Sequence, residues 1–176
     1  MGTFSCRIIG SDEVIDFLDT IERRLNNSVK EVKMPNGEMR TFKLTEEDEV
    51  SFSCPNELPH SSQYSLVCEA MKQHHDKVFD ENCIYEPEIL FGVATLFMAL
   101  GVPISTPFRN ECIDNVLSYN TRQWKQPERR KAFLDSFLDA LLSYDNETPL
   151  FEHPELRWET PEKLIGLQWT SIPHTE

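Results

Sequence analysis

The sequence predicts an α+β fold, a mainly helical single domain with a small antiparallel β-hairpin or three-stranded sheet. Apolar residues recur at three- and four-residue spacing, which is typical of amphipathic helices. An Asn-Gly pair separates two short runs that suit strands, and a length of 176 residues suits one well-buried core. We therefore expect residues 1–176 to form one globular domain.

The first helix is predicted to begin at Ser11 or Asp12. A capping side chain stands there, and the acids that follow suit the positive end of the helix dipole. Apolar residues then recur on one face until Asn26-Asn27, where the helix is expected to end.

A small sheet is predicted to follow the first helix. Residues 29–34 and 39–44 flank a Pro35-Asn36-Gly37 turn, and both Asn and Gly accept the positive φ of a tight hairpin. Apolar residues then alternate with polar ones up to Pro55, which predicts a third short strand containing Val50, Phe52 and Cys54.

The remainder is predicted to be helical. One helix opens at Ser61 or Ser62 and runs to about Lys77. Residues 89–100 are the most apolar segment; proline in the first turn and Gly101 beyond the end predict a central helix. Two more apolar stripes cover residues 108–117 and 132–142, and residues 149–176 are predicted to form an extended aromatic and acidic tail packed on the body.

Several features exclude common classes of protein. The N-terminus shows no secretory signal, so a cytoplasmic location is expected. The longest apolar stretch is shorter than the roughly 18 residues that span a bilayer. The cysteines are far apart and include no CxxC pair, so we expect buried, reduced thiols, no disulfide and no metal site. These cysteines are Cys6, Cys54, Cys68, Cys83 and Cys112.

The pair His74-His75, with acids close behind it, is the nearest approach to a catalytic or metal-binding constellation. Adjacent helical residues point about 100° apart, so the two rings do not face one ion, and a polar helix end is the favoured interpretation. The sequence contains no GxSxG elbow, P-loop or GxGxxG motif. No catalytic residue and no cofactor is predicted, although a hydrolase that uses these histidines stays open as an alternative.

Charge is the most informative property of the sequence. Thirty acidic and 17 basic residues give a net charge of -13, which opposes binding to nucleic acid and to anionic membranes. A basic protein is the partner that this field attracts. The alternative is that the acidity only keeps the protein in solution.

The acidic residues are segregated from the basic ones. Residues 135–162 contain eight carboxylates and the single cation Arg157, whereas residues 122–131 contain five cations and one acid. A second acidic cluster precedes the third predicted strand. The candidate partner-binding residues are Glu46, Glu47, Asp48, Glu49, Asp145, Glu147, Phe151, Glu152, Glu155, Trp158 and Glu159.

Within this set the tail is the favoured interface. Phe151 and Trp158 lie among its carboxylates and could anchor a partner through apolar burial. The alternative is that these aromatic residues pin the tail to the body.

Two segments resemble an uncharacterised family of small bacterial proteins with an N-terminal MGTWG…DNDxAxDFL-like signature. The matching residues are Met1-Gly2-Thr3, Asp12, Asp16, Phe17 and Leu18, and residues 87–103 are similar to that family's central helix. Phe4-Ser5 stands where the signature has Trp-Gly, and residues 10–13 depart from its Asn-Asp. The resemblance covers about a third of the chain and implies no catalytic residues.

In size, compactness and acidity the chain is also similar in type to immunity proteins of polymorphic toxin systems, including contact-dependent growth inhibition. That resemblance implies an antitoxin-like, non-catalytic protein that binds and neutralises a cognate toxin, expected to be a C-terminal nuclease domain with a basic cleft. The other open alternative is a housekeeping or regulatory protein-binding module of the uncharacterised family.

Overall fold

The structure, a computed structural model, describes residues 11–83, 86–124 and 126–150. Its helices and single antiparallel strand pair confirm the mainly helical α+β prediction. The helices are α1 (Asp12–Ser28), α2 (Tyr64–Val78), α3 (Pro87–Leu100), α4 (Thr106–Ser118) and α5 (Pro127–Ser143). The strands are β1 (Glu31–Lys33) and β2 (Met39–Thr41), and short 3-10 turns occupy Glu46–Asp48, Pro55–His60, Glu81–Cys83 and Thr121–Gln123.

Helix α3 is the centre of the fold, as its apolar sequence predicts. Every residue from Leu90 to Leu100 is buried, and the helix packs against α1, α2, α4 and α5. Gly101 ends it at a φ of 71°, where its N–H bonds to carbonyls of the last turn. The Tyr144 hydroxyl donates to the Val102 carbonyl oxygen at 2.6 Å, which joins the end of α5 to the end of α3.

Helix α1 and the hairpin agree with the sequence patterns that predict them. The Ser11 hydroxyl accepts a hydrogen bond from the Val14 N–H at 3.4 Å and so caps α1. The buried face of α1 consists of Val14, Leu18, Ile21 and Leu25. In the hairpin, Val32 pairs with Arg40, and Gly37 takes a φ of 86° in the connecting turn.

The predicted third strand is wrong. Phe52 is fully buried, but its N–H donates to the Glu22 carboxylate at 2.8 Å instead of to a neighbouring strand. Of the alternating residues, Phe52 is buried whereas Cys54 is exposed, so the pattern does not mark one face of a strand. The Glu22 carboxylate takes the place of a neighbouring strand as the partner of the Phe52 N–H.

Helix α2 begins at Tyr64, two to three residues later than predicted. The Ser61 hydroxyl is used outside the helix, where it donates to the Asp48 carbonyl at 2.8 Å and accepts from the Gln63 N–H at 3.1 Å. This serine therefore joins the start of α2 to the preceding acidic segment.

Three cysteines lie within the described side chains, and none of these three forms a disulfide. Cys68 and Cys112 are buried as expected, and burial raises the pKa of the Cys112 thiol to about 12. Cys54 is exposed, so the expectation of burial is wrong for this residue, which follows a surface turn.

Pro149 and Leu150 are buried against the body, whereas the rest of the predicted tail, residues 151–176, lies outside the described residues. Among the helices that the structure describes, none is both long and apolar enough to cross a membrane.

Candidate protein-binding site

Two side chains of α1 hold the segment of residues 44–52 against the helix. Asn26 donates to the Leu44 carbonyl oxygen at 3.1 Å and accepts from the Leu44 N–H at 2.9 Å. One turn earlier, the Glu22 carboxylate accepts from the Phe52 N–H at 2.8 Å. Residues four apart share a helix face, so the segment is fixed to that face at both of its ends.

The segment between these anchors contains four successive acids, Glu46, Glu47, Asp48 and Glu49, which we call the acidic turn. The Asp48 carboxylate accepts from the Thr45 N–H at 2.7 Å and from the Thr45 hydroxyl at 3.2 Å, and so shapes the turn. The three glutamates are exposed, and within the described residues their carboxylates make no hydrogen bond or ion pair. Their charges therefore face solvent.

Glu49 occupies the left-handed region of backbone space, with a φ of 51°. For a residue with a Cβ this conformation costs about 1 kcal/mol, and glycine would adopt it freely. A glutamate at this position keeps a negative charge at some cost in stability.

Acids of α1 form a further negative patch on the helix that anchors the acidic turn. Asp16, Asp19 and Glu22 line a hollow of 620 Å³ together with Thr20 and the single cation Arg23. Burial raises the pKa of the half-buried Glu22 carboxyl, the hydrogen bond from Phe52 opposes this shift, and the charge of Asp19 adds to it.

The second predicted cluster has a different role in the described part of the chain. The Asp145 carboxylate accepts from the N–H groups of Glu147 and Thr148 at 3.0 and 2.8 Å and from the Thr148 hydroxyl at 2.7 Å. The Glu147 carbonyl lies so close to Gly101 that an added Cβ would meet it at 2.6 Å. Asp145 therefore holds a turn packed on the end of α3, while the Glu147 side chain is exposed.

The remaining predicted partner-binding residues lie outside the described residues. They are Phe151, Glu152, Glu155, Trp158 and Glu159. The structure therefore places only the acidic turn, Asp145 and Glu147.

Part of the basic stretch of residues 122–131 belongs to the core, which the charge pattern did not reveal. Arg130 is fully buried, and its guanidinium carbon lies 4.3 Å from the centre of the Trp124 ring and 5.4 Å from that of Tyr119. The Trp124 indole N–H donates to the Tyr119 hydroxyl at 3.0 Å, and that hydroxyl donates to Glu88. The neighbouring Trp124 and Tyr119 were the only sequence signal for this stacking.

The two adjacent histidines line different hollows, as their helical spacing predicts. His75 lines one of 310 Å³ with Asp76, Asp80 and Glu81, and its Nδ1 lies 3.1 Å from the Met71 carbonyl oxygen. In the same hollow the Ser105 hydroxyl donates to Glu81 at 2.8 Å and accepts from the Phe108 N–H at 3.2 Å, so it caps α4.

The hydrogen-bonded pair in this hollow, the Ser105 hydroxyl and the Glu81 carboxylate, is engaged in the cap of α4. The described residues contain no group of three His, Cys, Asp or Glu placed to hold a metal ion.

No family model, curated protein or solved structure matches the chain. The family resemblance of the N-terminal segment and the central helix therefore stays a prediction.

Proposed function

We propose that the protein is an immunity protein. It binds a cognate toxin domain that has a basic surface, expected to be a nuclease, and covers the active site of that domain. The observation that carries this proposal is the acidic turn. Its three exposed glutamates have no internal partner in the described residues, while hydrogen bonds to α1 fix both ends of the segment.

The proposed mechanism is electrostatic capture followed by occlusion. A nuclease cleft is lined by cations that bind phosphates, and carboxylates presented at a similar density would compete for the same groups. Because Asn26 and Glu22 already order the segment, binding would lose less conformational entropy than it would for a free loop. Fast association is the expected result.

The strained conformation of Glu49 supports the same proposal. Strain of about 1 kcal/mol in an exposed turn is unfavourable for folding alone, since glycine would remove it. A contact between the Glu49 carboxylate and a partner would explain why a strained glutamate stands at this position.

A stoichiometric titration tests the proposal. Toxin and immunity genes are paired, so we expect the gene immediately upstream to encode a large secreted protein with a variable C-terminal domain. The nuclease activity of that purified domain should fall linearly as this protein is added and vanish at one equivalent. An unrelated basic nuclease is the control and should keep its activity. The proposal would be contradicted if the paired domain kept its full activity in a tenfold excess of this protein, at protein concentrations above a nanomolar-to-micromolar Kd.

A further inference from the structure

The hairpin has two edges, and hydrogen bonding shows which backbone groups each presents. The Phe42 N–H donates to the Lys30 carbonyl and the Met34 N–H to the Glu38 carbonyl, both at 2.8 Å. In an antiparallel pair the residues between such bonds point their N–H and C=O groups outward. Met39, Thr41 and Lys43 therefore present their backbone groups away from β1.

The outer edge of β1 is closed by a side chain. Gln73 of α2 accepts from the Lys33 N–H at 3.1 Å and donates to the Lys33 carbonyl at 2.6 Å, so its amide takes the place of a neighbouring strand. The outer edge of β2 has no such partner in the described part of the chain, where no hydrogen bond reaches the backbone of Met39, Thr41 or Lys43. We call this the open edge.

The surroundings of the open edge are basic, in contrast to the chain as a whole. Four exposed cations stand in residues 30–43 against two exposed acids, and no ion pair engages them within the described residues. These cations are Lys30, Lys33, Arg40 and Lys43.

The seat for a side chain at the open edge follows from the pleat of β2. Met39, Thr41 and Lys43 alternate with Arg40 and Phe42, so their side chains share one sheet face. A residue added directly opposite Thr41 would place its side chain on that face, with Lys43 as a diagonal neighbour. The hollow of 480 Å³ that Thr41 lines with His74 and Lys77 of α2 lies on the β1 side of Thr41, because α2 meets the outer edge of β1.

We propose that the open edge of β2 binds an extended, acidic segment of a partner protein as an additional strand. Backbone hydrogen bonds to Met39, Thr41 and Lys43 hold the segment, and a carboxylate opposite Thr41 lies on the same sheet face as the Lys43 ammonium group. This site uses the hairpin and not the carboxylates of the acidic turn, and it does not depend on the proposed function.

Charge also decides against a second copy of this chain as the occupant. Pairing β2 with its own symmetry mate would bring Arg40 and Lys43 of both copies to one edge, and like charges across a strand pair are unfavourable. Lysines on edge strands commonly prevent such self-pairing. The same charges attract a segment with carboxylates at alternate positions.

Backbone-amide NMR with a short synthetic probe tests the proposal. The probe is a blocked heptapeptide of alternating glutamate and valine with threonine at both ends, and lysine replaces glutamate in the control peptide. The glutamate peptide should shift the amide signals of Met39, Thr41 and Lys43 and slow their hydrogen exchange, whereas the lysine peptide should leave them unchanged. Unchanged signals with the glutamate peptide at millimolar concentration would overturn the proposal.

Two variants at one position separate strand addition from general charge attraction. Proline at Thr41 removes only an outward N–H, so Thr41→Pro should weaken binding of the glutamate peptide at least about tenfold, while Thr41→Val should keep it within about twofold. Equal binding by the two would overturn the proposal.

Lys43→Glu keeps every backbone donor and acceptor of the open edge and provides a second test if the proline variant fails to fold. It should also weaken binding, because it reverses the charge beside the carboxylate, and unchanged affinity would contradict the seat assigned to the carboxylate. Concentration-dependent shifts of the same amides without peptide would show that the occupant is a second copy and would likewise overturn the proposal.

Discussion

The acidic turn and the turn of residues 145–148 both carry acids in sequence and differ in what their carboxylates do. Each contains an aspartate that accepts hydrogen bonds from its own turn, Asp48 in the first and Asp145 in the second. The acidic turn is anchored by side chains of α1 and leaves three glutamates in solvent, whereas the second turn packs its backbone on Gly101. Charge density alone does not separate carboxylates that shape a turn from those that can meet a partner; hydrogen bonding does.

The largest effect is expected where the second turn meets α3. Gly101→Ala combines a φ of 71° with a Cβ only 2.6 Å from the Glu147 carbonyl oxygen. We expect a loss of about 3 kcal/mol in the free energy of unfolding, measured by urea denaturation. Gly37→Ala is the matched control: its φ is 86° but nothing lies within 4 Å of the added Cβ, so it should lose only about 1 kcal/mol. Equal losses would show that the turn does not pack closely on α3.

The next effect concerns the structural aspartate. Asp145→Ala removes three hydrogen bonds and should lower the free energy of unfolding by about 2 kcal/mol, or the thermal midpoint by about 4–8 °C. Glu147→Ala, which truncates an exposed side chain of the same turn, should stay within about 0.5 kcal/mol. Similar thermal midpoints for the two variants would remove the distinction between the acidic turn and the turn of residues 145–148.

A smaller effect of opposite sign is expected at Glu49. Glu49→Gly relieves about 1 kcal/mol of backbone strain, part of which is offset by the greater freedom of glycine in the unfolded chain, so a net gain of about 0.5 kcal/mol is expected. Glu49→Gln keeps the strain and should show no gain. Both variants should slow association with the partner equally, since both remove the same charge. Association at the wild-type rate in both variants would indicate that this charge does not contribute to binding.

The smallest effect concerns pH. Burial raises the pKa of the Glu22 carboxyl, so the folded state holds this proton more tightly than the unfolded chain does. Ionisation of Glu22 therefore costs stability, and this cost is absent below its unfolded pKa and complete once the pH has passed its raised folded pKa. Because Glu22 is only half-buried, Glu22→Gln should gain less than about 0.5 kcal/mol over the wild type across that window. NMR titration of the carboxyl carbon should give a folded pKa above the ordinary value for glutamate.

The helices could be predicted from the sequence because their signals are local. The cap at Ser11, the proline at the start of α3 and Gly101 at its end each act within one helical turn. The third strand could not be excluded in the same way, since the partner of the Phe52 N–H is a carboxylate 30 residues earlier.

The candidate site was only partly predictable for the same reason. The acidity of residues 46–49 is visible in the sequence, but their anchoring by Asn26 and Glu22 depends on contacts between α1 and a distant segment. The burial of Arg130 against Trp124 also depends on packing, and it removes one cation from the surface that the charge pattern suggests.

The association rate with the paired toxin domain, measured by stopped flow at several salt concentrations, tests the central claim most directly. Reversal of Glu46, Glu47 and Glu49 to lysine should lower the rate at least about tenfold at low salt and reduce its salt dependence, with an unchanged thermal midpoint. A control variant makes the same net charge change at three exposed helical acids, Asp114, Glu128 and Asp139, and should lower the rate by no more than about twofold. Equal loss in both variants would contradict the claim, because net charge alone would then steer the encounter and the acidic turn would have no special part in it.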